Sequence, residues 1–427
     1  MIPTPLARIA RLSAAFLGSN LARAAIGFGM SFALARALGA EGFGRWILCT
    51  AWASTLTVVV DLGFGVLLTR DGARAHAEPG QLLSGALMLR LALAVPLAAF
   101  LYVGAGHLSQ DPETTAGLRM AALLGTAGAS YGCFGALLRS QPRWLPAVLA
   151  METGWLLVQL MAALAIVGAG RSGSELMTLL ALAAGVQLAQ IATAIVCWRT
   201  VFGERGRVCL PSRQELATLL RRALPFAASG IVANVQDRNG PLKLAYLSTQ
   251  SELGLFAAAS KVGGVARLVP QAVFAGALPV LVHEHARDDR SAERVSTLFD
   301  RLLIGLSVAV AIGCTRFAAP VLRLVYGASF TPAAPSLIWV GVGLIPLLSN
   351  SGRKVSLYAS GGEAFVVRLS AVALLAQVCA GAALIPMLGS LGAAISLAVG
   401  EAIIWWPLRR ARSGPSPRLQ WLVARRL

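Results

Sequence analysis

Charge is what this sequence has least of. Only 13% of its 427 residues are Asp, Glu, Lys or Arg, about half of the roughly 25% usual in soluble globular domains, so an ordinary water-facing surface cannot be built from it. Acids are the scarcer sign, 19 against 37 lysines and arginines, and the formal net charge is +18. The six cysteines, Cys49, Cys133, Cys197, Cys209, Cys314 and Cys379, have no Cys-x-x-Cys spacing, which excludes a zinc or disulfide framework. Among the four histidines only His283-Glu284-His285 has a chelator's spacing. With Arg287, Asp288 and Asp289 beside it, it reads as a solvated turn, and no metal site is expected. No Gly-x-x-x-x-Gly-Lys-Ser/Thr run is present, so no phosphate loop of that kind supplies energy. No residue constellation suggests catalysis. The chain is expected to be no enzyme, to need no cofactor, and to draw on an ion gradient, the membrane potential or its cargo.

What is abundant is apolar sequence, 56% of the chain, with a mean hydropathy of +0.70. Runs long enough to cross about 30 Å of hydrocarbon fall near 12–36, 44–68, 82–104, 117–138, 147–168, 176–198, 224–247, 254–282, 299–322, 334–357, 365–387 and 389–408. The expected fold is therefore all-α and polytopic, with about twelve transmembrane helices. The 44 glycines fit helices that approach closely in lipid, as Gly128-Ala129-Ser130-Tyr131-Gly132 would allow. Arg8 and Arg11 ahead of an apolar run imitate a secretory signal, but Asn20 and Arg23 interrupt that run and similar spans follow, so an uncleaved first helix is expected.

In a soluble protein so large a positive charge would suggest nucleic acid. Here the loops explain it, because Lys and Arg accumulate on the cytoplasmic side of membrane proteins and face anionic lipid. Arg8, Arg70, Arg74, Arg139, Arg143, the cluster from Arg199 to Arg222, Arg287, Arg290, Arg294, Arg368 and the tail from Arg409 to Arg426 all fall on one side of a twelve-helix arrangement. The other side holds Glu41, His107, Asp111, Glu113, Arg171, Glu175 and Glu252, with few cations. Both termini are thus expected in the cytoplasm, and no nucleic-acid partner is expected. The polar break from Arg199 to Arg222 divides the spans into two six-helix lobes, 1–205 and 206–427. A short internal echo supports duplication: Phe43-Gly44-Arg45-Trp46 follows the first helix as Leu253-Gly254-Leu255-Phe256 follows the seventh.

Charges inside the spans carry the functional argument, since a charge at the centre of a bilayer helix costs roughly 2.5–3.5 kcal/mol unless a partner or watery cavity receives it. On helix one, Asn20, Arg23, Gly27 and Ser31 form one polar stripe; Arg23 either faces a cavity or pairs with an acid of the fold. In helix seven, Asn234, Asp237, Arg238 and Lys243 surround Asn239-Gly240-Pro241, where proline predicts a break in the helix. Helix eight contributes Lys261, Gly264, Arg267 and Gln271. Helix ten repeats the first helix in Asn350-Ser351-Gly352-Arg353, followed by Lys354. Asp61, Glu152, Asp237 and Glu401 are the main acids, with Arg90 a candidate counter-charge for Asp61; an intramembrane carboxylate can carry a proton or sodium ion.

Several segments resemble a known family. Ala35-Arg36-Ala37-Leu38-Gly39-Ala40-Glu41-Gly42-Phe43-Gly44 is similar to the first loop of polysaccharide and O-antigen flippases in the multidrug/oligosaccharidyl-lipid/polysaccharide exporter superfamily. So are Asp61-Leu62-Gly63-Phe64 through Arg70, Asp237-Arg238, Glu252 to Ala259, Tyr326-Gly327-Ala328-Ser329-Phe330 and Ile385 to Ala394. The resemblance implies two lobes around a central cavity of alternating access in the bacterial inner membrane. The implied cargo is a polyprenyl-pyrophosphate-linked oligosaccharide, carried for surface polysaccharide synthesis beside a polymerase and other assembly proteins. On that reading Asn20, Arg23, Arg238, Lys261, Arg267 and Arg353 contact the anionic head, since arginine forks match phosphate, and Asp61 and Asp237 couple H+ or Na+. A multidrug or organic-cation exporter of the same superfamily and a non-transporting membrane scaffold for polysaccharide assembly are the alternatives. The excess of in-span bases over acids disfavours a cation exporter.

Overall fold

The computed structural model of the chain describes residues 5–72, 78–141, 143–168, 175–267, 289–359 and 363–410. Every regular element among them is helical. Eleven α-helices are labelled here in chain order: α1 (Pro5–Asp61), α2 (Phe64–Gly72), α3 (Pro79–Leu108), α4 (Pro112–Arg139), α5 (Leu145–Gly168), α6 (Glu175–Phe202), α7 (Arg213–Leu247), α8 (Gln250–Gly264), α9 (Asp289–Val325), α10 (Ala334–Ala359) and α11 (Glu363–Arg410).

Two of these are too long to be single crossings. The apolar stretches Gly18–Asp61 and Phe365–Arg410 hold 44 and 46 residues, about 66 Å and more at 1.5 Å per residue, twice the hydrocarbon thickness. Each bends back at a glycine in a conformation that side chains with a Cβ disfavour: Gly39 at φ 65° and Gly389 at φ 54°. In α11 the fold-back is visible in its contacts. Gly400 lies against Ala373 and Gln377, Gly392 against the Leu384 backbone, and Val366 and Ala373 share a buried cluster with Ile404 and Leu408. All these pairs are symmetric about residue 388 or so, as an antiparallel hairpin requires. In α1, Arg23 meets a carboxylate also bound by Arg139 at the end of α4, and Arg45 meets Glu113 at its beginning. Asp61 then meets Arg90, which donates to Ala129 in the second half of α4. The chain therefore travels along α4 and returns.

Eight helical segments among the described residues are long and apolar enough to span a membrane. Six single and two doubled segments account for ten crossings, and α7 and α8 occupy the places of the seventh and eighth. Large apolar side chains such as Phe100, 80% exposed, and Met387, 82% exposed, sit outside on these helices, where lipid rather than water is their solvent. At the terminus-bearing end, Arg409 and Arg410 lie over Trp405 and Trp406 at 4.6 and 4.5 Å, the residue types that anchor helices at a membrane surface.

The chain forms two compact units, Met1–Arg238 and Asn239–Leu427. The start of α7 packs with the first unit: Leu219 and Ala223 enter a core with Phe64, Leu83, Leu137 and Trp198, and Arg222 pairs with the buried Asp71. Phe134 meets Trp198 edge-on at 6.0 Å, and the indole N–H donates to the Gly206 carbonyl at 2.9 Å.

Two expectations are corrected. The second span does not continue from 44 to 68; it ends at Asp61, because Leu62 (φ 42°) and Gly63 (φ 77°) are both left-handed, and α2 begins at Phe64. Nor does α7 break at Asn239-Gly240-Pro241; the helix runs through to Leu247. The echo falls at corresponding places: Phe43-Gly44 shortly follows the Gly39 turn, and Leu253-Gly254 shortly follows Thr249, whose hydroxyl caps α8 by accepting from the Glu252 N–H.

A Cβ at Gly400 would stand 2.8 Å from the Ala373 carbonyl oxygen, so Gly400→Val is expected to force the α11 hairpin apart. The cost should be about 1–3 kcal/mol, read as a lower melting midpoint in detergent. An unchanged midpoint would refute the hairpin contact.

Candidate functional site

Buried charge is concentrated at a few nodes within each unit. In the first, α1 and α5 are joined where Ser19 and Thr153 hydroxyls meet at 3.0 Å and Arg23 donates to Glu152 Oε2 at 2.9 Å. The other oxygen, Oε1, accepts from Arg139 at 2.6 Å and from the Tyr131 hydroxyl at 3.2 Å. Glu152 is only 4% exposed, whereas Arg23 is 42% and Arg139 31% exposed. Two guanidiniums thus share one carboxylate, and the node keeps a surplus positive charge. Beside it a crevice of about 440 Å³ runs between α1 and α5, walled by Gly18, Ser19, Ala22, Ala150, Gly154 and Leu157 among others.

The second node is Arg90 on α3, 2% exposed and ion-paired with Asp61, with a further hydrogen bond of 3.0 Å to the Ala129 carbonyl. Asp61 also accepts the Gly65 N–H at 3.3 Å, closing the turn that starts α2. The counter-charge expected for Asp61 is therefore present, and the pair explains why two charges tolerate this depth. At the opposite end of α4, Arg45 reaches Glu41 at 2.7 Å, Glu113 at 2.6 Å and Asp111 at 3.6 Å. Asp111, in the α3–α4 turn, accepts from the hydroxyl and N–H of Thr114 at 2.6 and 2.9 Å. The Thr114 hydroxyl, above all, holds its carboxyl below the ordinary value, with Arg45 adding to the effect.

In the second unit, Asn350 on α10 donates to the Glu401 carbonyl at 2.8 Å and carboxylate at 2.9 Å, and Lys354 stands 3.7 Å from that carboxylate. Glu401 is 4% exposed. Lys243 on α7 donates to the Gln377 backbone carbonyl at 2.6 Å, and next to it the Asn239 side-chain amide donates to Gln377 Oε1 at 2.9 Å. Gly381 leaves the room that the lysine stem occupies. Arg353 is half-buried one residue before Lys354, and with Arg409 it is one of the charges acting on Asp300.

Of the residues singled out from sequence, Arg23 and Asp61 sit in these nodes, Asn20 is exposed near Arg23, and Lys261 is exposed on α8. The side chains of Asp237, Arg238 and Arg267 lie outside the described residues, as do His283 and His285. Among the described residues no group of three or more His, Cys, Asp or Glu could hold a metal, and the six cysteines are unpaired with one another. Sequence reasoning treated Arg139 as a loop cation and missed its place on Glu152. The signal was available: only residues 140–144 separate α4 from α5, so the end of one helix must face the first turns of the next.

Two outcomes follow. Asp61→Asn strands a buried guanidinium and is expected to destabilise the protein by about 3–5 kcal/mol, with partial recovery in Asp61→Asn/Arg90→Gln; a melting midpoint equal to wild type would show the pair to be dispensable. For Asp111, whose folded-state pKa is depressed, the stabilising contribution is complete above about pH 4 and is lost as pH falls through the lower folded value. Asp111→Asn should therefore flatten the acid limb of a stability–pH curve and leave stability more similar to wild type at the lowest pH; an unchanged acid limb refutes it.

A family model described as "Polysaccharide biosynthesis protein" matches residues 10–285. No curated protein matches the sequence closely. Solved structures share the fold at low identity. An inward-facing multidrug resistance MATE family transporter of the MOP superfamily aligns over 90% of this chain and 92% of its own, with TM-score 0.71 and 15% identity. The lipid II flippase MurJ, in an inward closed conformation, aligns over 93% and 86%, with TM-score 0.71 and 12% identity. A MOP superfamily transporter from Pyrococcus furiosus, for which reversed polarity of the binding pocket suggests a different function, aligns over 94% and 93%, with TM-score 0.58 and 15% identity.

Proposed function

The chain belongs to the polysaccharide biosynthesis protein family, and from that membership we propose that it is a flippase for a polyprenyl-pyrophosphate-linked oligosaccharide. It carries this lipid from the inner to the outer leaflet by alternating access, for surface polysaccharide synthesis. The family match is the observation that carries the reading. Similarity of fold to both a lipid II flippase and a multidrug transporter supports membrane transport rather than catalysis. The charge balance favours an anionic cargo over an organic cation: the Arg23–Glu152–Arg139 node keeps one positive charge in excess, and a pocket attracts ligands of the sign it lacks.

The proposed location is the bacterial inner membrane. The distribution of loop arginines supports a cytoplasmic location for both termini by the positive-inside rule. Arg23, with Asn20, Arg238, Lys261, Arg267 and Arg353, is assigned to the anionic head of the cargo, with membrane lipids and a polysaccharide polymerase as further partners. The Asp61 carboxylate is already engaged by Arg90 and Gly65, which favours a structural role; Asp237 is the acid proposed to couple H+ or Na+ to movement.

In proteoliposomes, the wild type is expected to expose radiolabelled lipid-linked oligosaccharide on the far leaflet, and Arg23→Ala/Arg238→Ala to slow this at least tenfold, the effect of losing charge-assisted phosphate contacts. Export of cationic dyes with no movement of the glycolipid would replace the reading with the exporter alternative. Normal translocation by the double variant would sink the assignment of these arginines.

A further inference from the structure

Arg23 and Arg139 come from helices α1 and α4, yet both guanidiniums stop at the same carboxylate. Each uses Nη1 for it, one on Oε2 and one on Oε1. Among the described residues neither guanidinium has a second ion-pair partner, and the two side chains are 42% and 31% exposed. A carboxylate is planar with two acceptor oxygens, so two forks bound to its opposite oxygens stand a few ångströms apart on either side of it. That is the spacing at which they could also close on one tetrahedral phosphate. Glu152 itself is sealed in protein while both arginines are half open. The arrangement is that of a two-armed clamp with its anion already seated, and the surplus charge is what a stronger anion would satisfy.

The crevice supplies the second observation. Its lining includes Ser19 and Ala22 ahead of Arg23 and Thr153 and Gly154 after Glu152, so it opens beside the clamp. Its walls are small and apolar apart from the Ser19–Thr153 pair, and a Cβ at Gly18 or Gly154 would meet nothing within 4 Å. An apolar chain next to a phosphate matches this juxtaposition of cations and an apolar trough.

We propose that Arg23 and Arg139 form a clamp for the phosphate of a polyprenyl phosphate or pyrophosphate lipid, with Glu152 as the resting occupant that the lipid displaces and the α1–α5 crevice as the seat of the first isoprene units. This rests on the flippase reading and adds Arg139 as a ligand and Glu152 as a positioning residue. Glu152 stabilises the arginines when the site is empty and competes with the phosphate when it is filled. Binding is thereby weaker than two bare guanidiniums would give, and release is faster. When the phosphate holds the arginines, Glu152 keeps the Tyr131 hydroxyl, and the cost of parting that buried carboxylate from its cations is what sets the weaker binding and faster release.

The test is binding of polyprenyl pyrophosphate to the purified full-length protein in detergent, with the neutral polyprenol of equal length and inorganic pyrophosphate as comparison probes. Arg139→Gln should weaken the pyrophosphate lipid about tenfold, the loss of one charge-assisted contact, and leave the polyprenol unchanged. Arg143→Gln, an exposed arginine outside the clamp, should bind as wild type. Glu152→Gln should bind about tenfold more tightly and translocate more slowly. Gly154→Leu should fold normally and weaken the lipid but not inorganic pyrophosphate.

If wild type binds the lipid and Arg139→Gln binds it equally well, the clamp is overturned while the flippase reading stands. Weaker binding by a monodisperse Glu152→Gln overturns the role of Glu152. Inorganic pyrophosphate binding as tightly as the lipid overturns the crevice as the tail's seat. Failure of the wild type to bind the lipid at all overturns both readings. Should Glu152→Gln not purify folded, Arg139→Lys carries the test, because lysine keeps the charge without the planar fork; affinity between those of wild type and Arg139→Gln is expected, and affinity equal to wild type overturns the fork geometry.

Discussion

A guanidinium or ammonium cannot rest in hydrocarbon alone, and the described charges inside the spans are arranged by that constraint. Arg90 would be the costliest of them, since its side chain is almost wholly enclosed; Asp61 and the Ala129 carbonyl receive it. Lys243 finds a backbone carbonyl on α11. Glu401 is met by Asn350 and Lys354. Each contact joins two different helices, so satisfying the charges also fastens particular helices to one another. Lipid supplies no hydrophobic force between helices, which leaves polar pairs and close packing to choose the arrangement.

Close packing depends on residues that are small or absent as side chains. Gly132 makes room for the Arg90 fork, Gly381 for the Lys243 stem and Gly400 for the antiparallel half of its own helix. Gly39 and Gly389 instead contribute their backbone freedom and turn two long apolar stretches into hairpins. The Gly389 hairpin is further fastened by Glu252, whose carboxylate accepts the Ser390 N–H at 2.7 Å. Several segments that resemble the family form turns between helices. Leu62-Gly63 separates α1 from α2, Gly327 at φ 102° ends α9, and Tyr326 and Phe330 pack their rings at 5.4 Å beside it.

Two buried carboxylates are each shared by two partly exposed arginines: Asp71 by Arg70 and Arg222, and Glu152 by Arg23 and Arg139. Shared stoichiometry therefore does not by itself mark a binding node. What sets the Glu152 node apart is the crevice between α1 and α5 that opens beside it. A surplus of positive charge next to an open trough, rather than the surplus alone, is what a ligand of opposite sign would use.

Helix number, the two long hairpins' apolar character and the basic ends were legible from residue order alone, because hydropathy acts over twenty residues and does not depend on neighbours. The Asp61–Arg90 pairing was also within reach, two opposite charges at similar depth on consecutive spans. What residue order could not decide is which side chains meet across distant helices. Arg23 had two open fates until Glu152 was seen beside it, and Arg139 looked like a loop cation until the short α4–α5 connection set it against the same carboxylate. Asn239-Gly240-Pro241 carried every local sign of a break, yet α7 runs through it, with Asn239 hydrogen-bonded to Gln377 of α11. Local propensity is a matter of about a kilocalorie for glycine and about three for proline, and a helix held in lipid by its neighbours can override both. The sequence by itself determined that this is a membrane-spanning helical protein with cations at depth. Tertiary structure alone decided which acid or carbonyl receives each of those cations and which cations share one carboxylate, because that depends on distances between helices that no periodicity encodes.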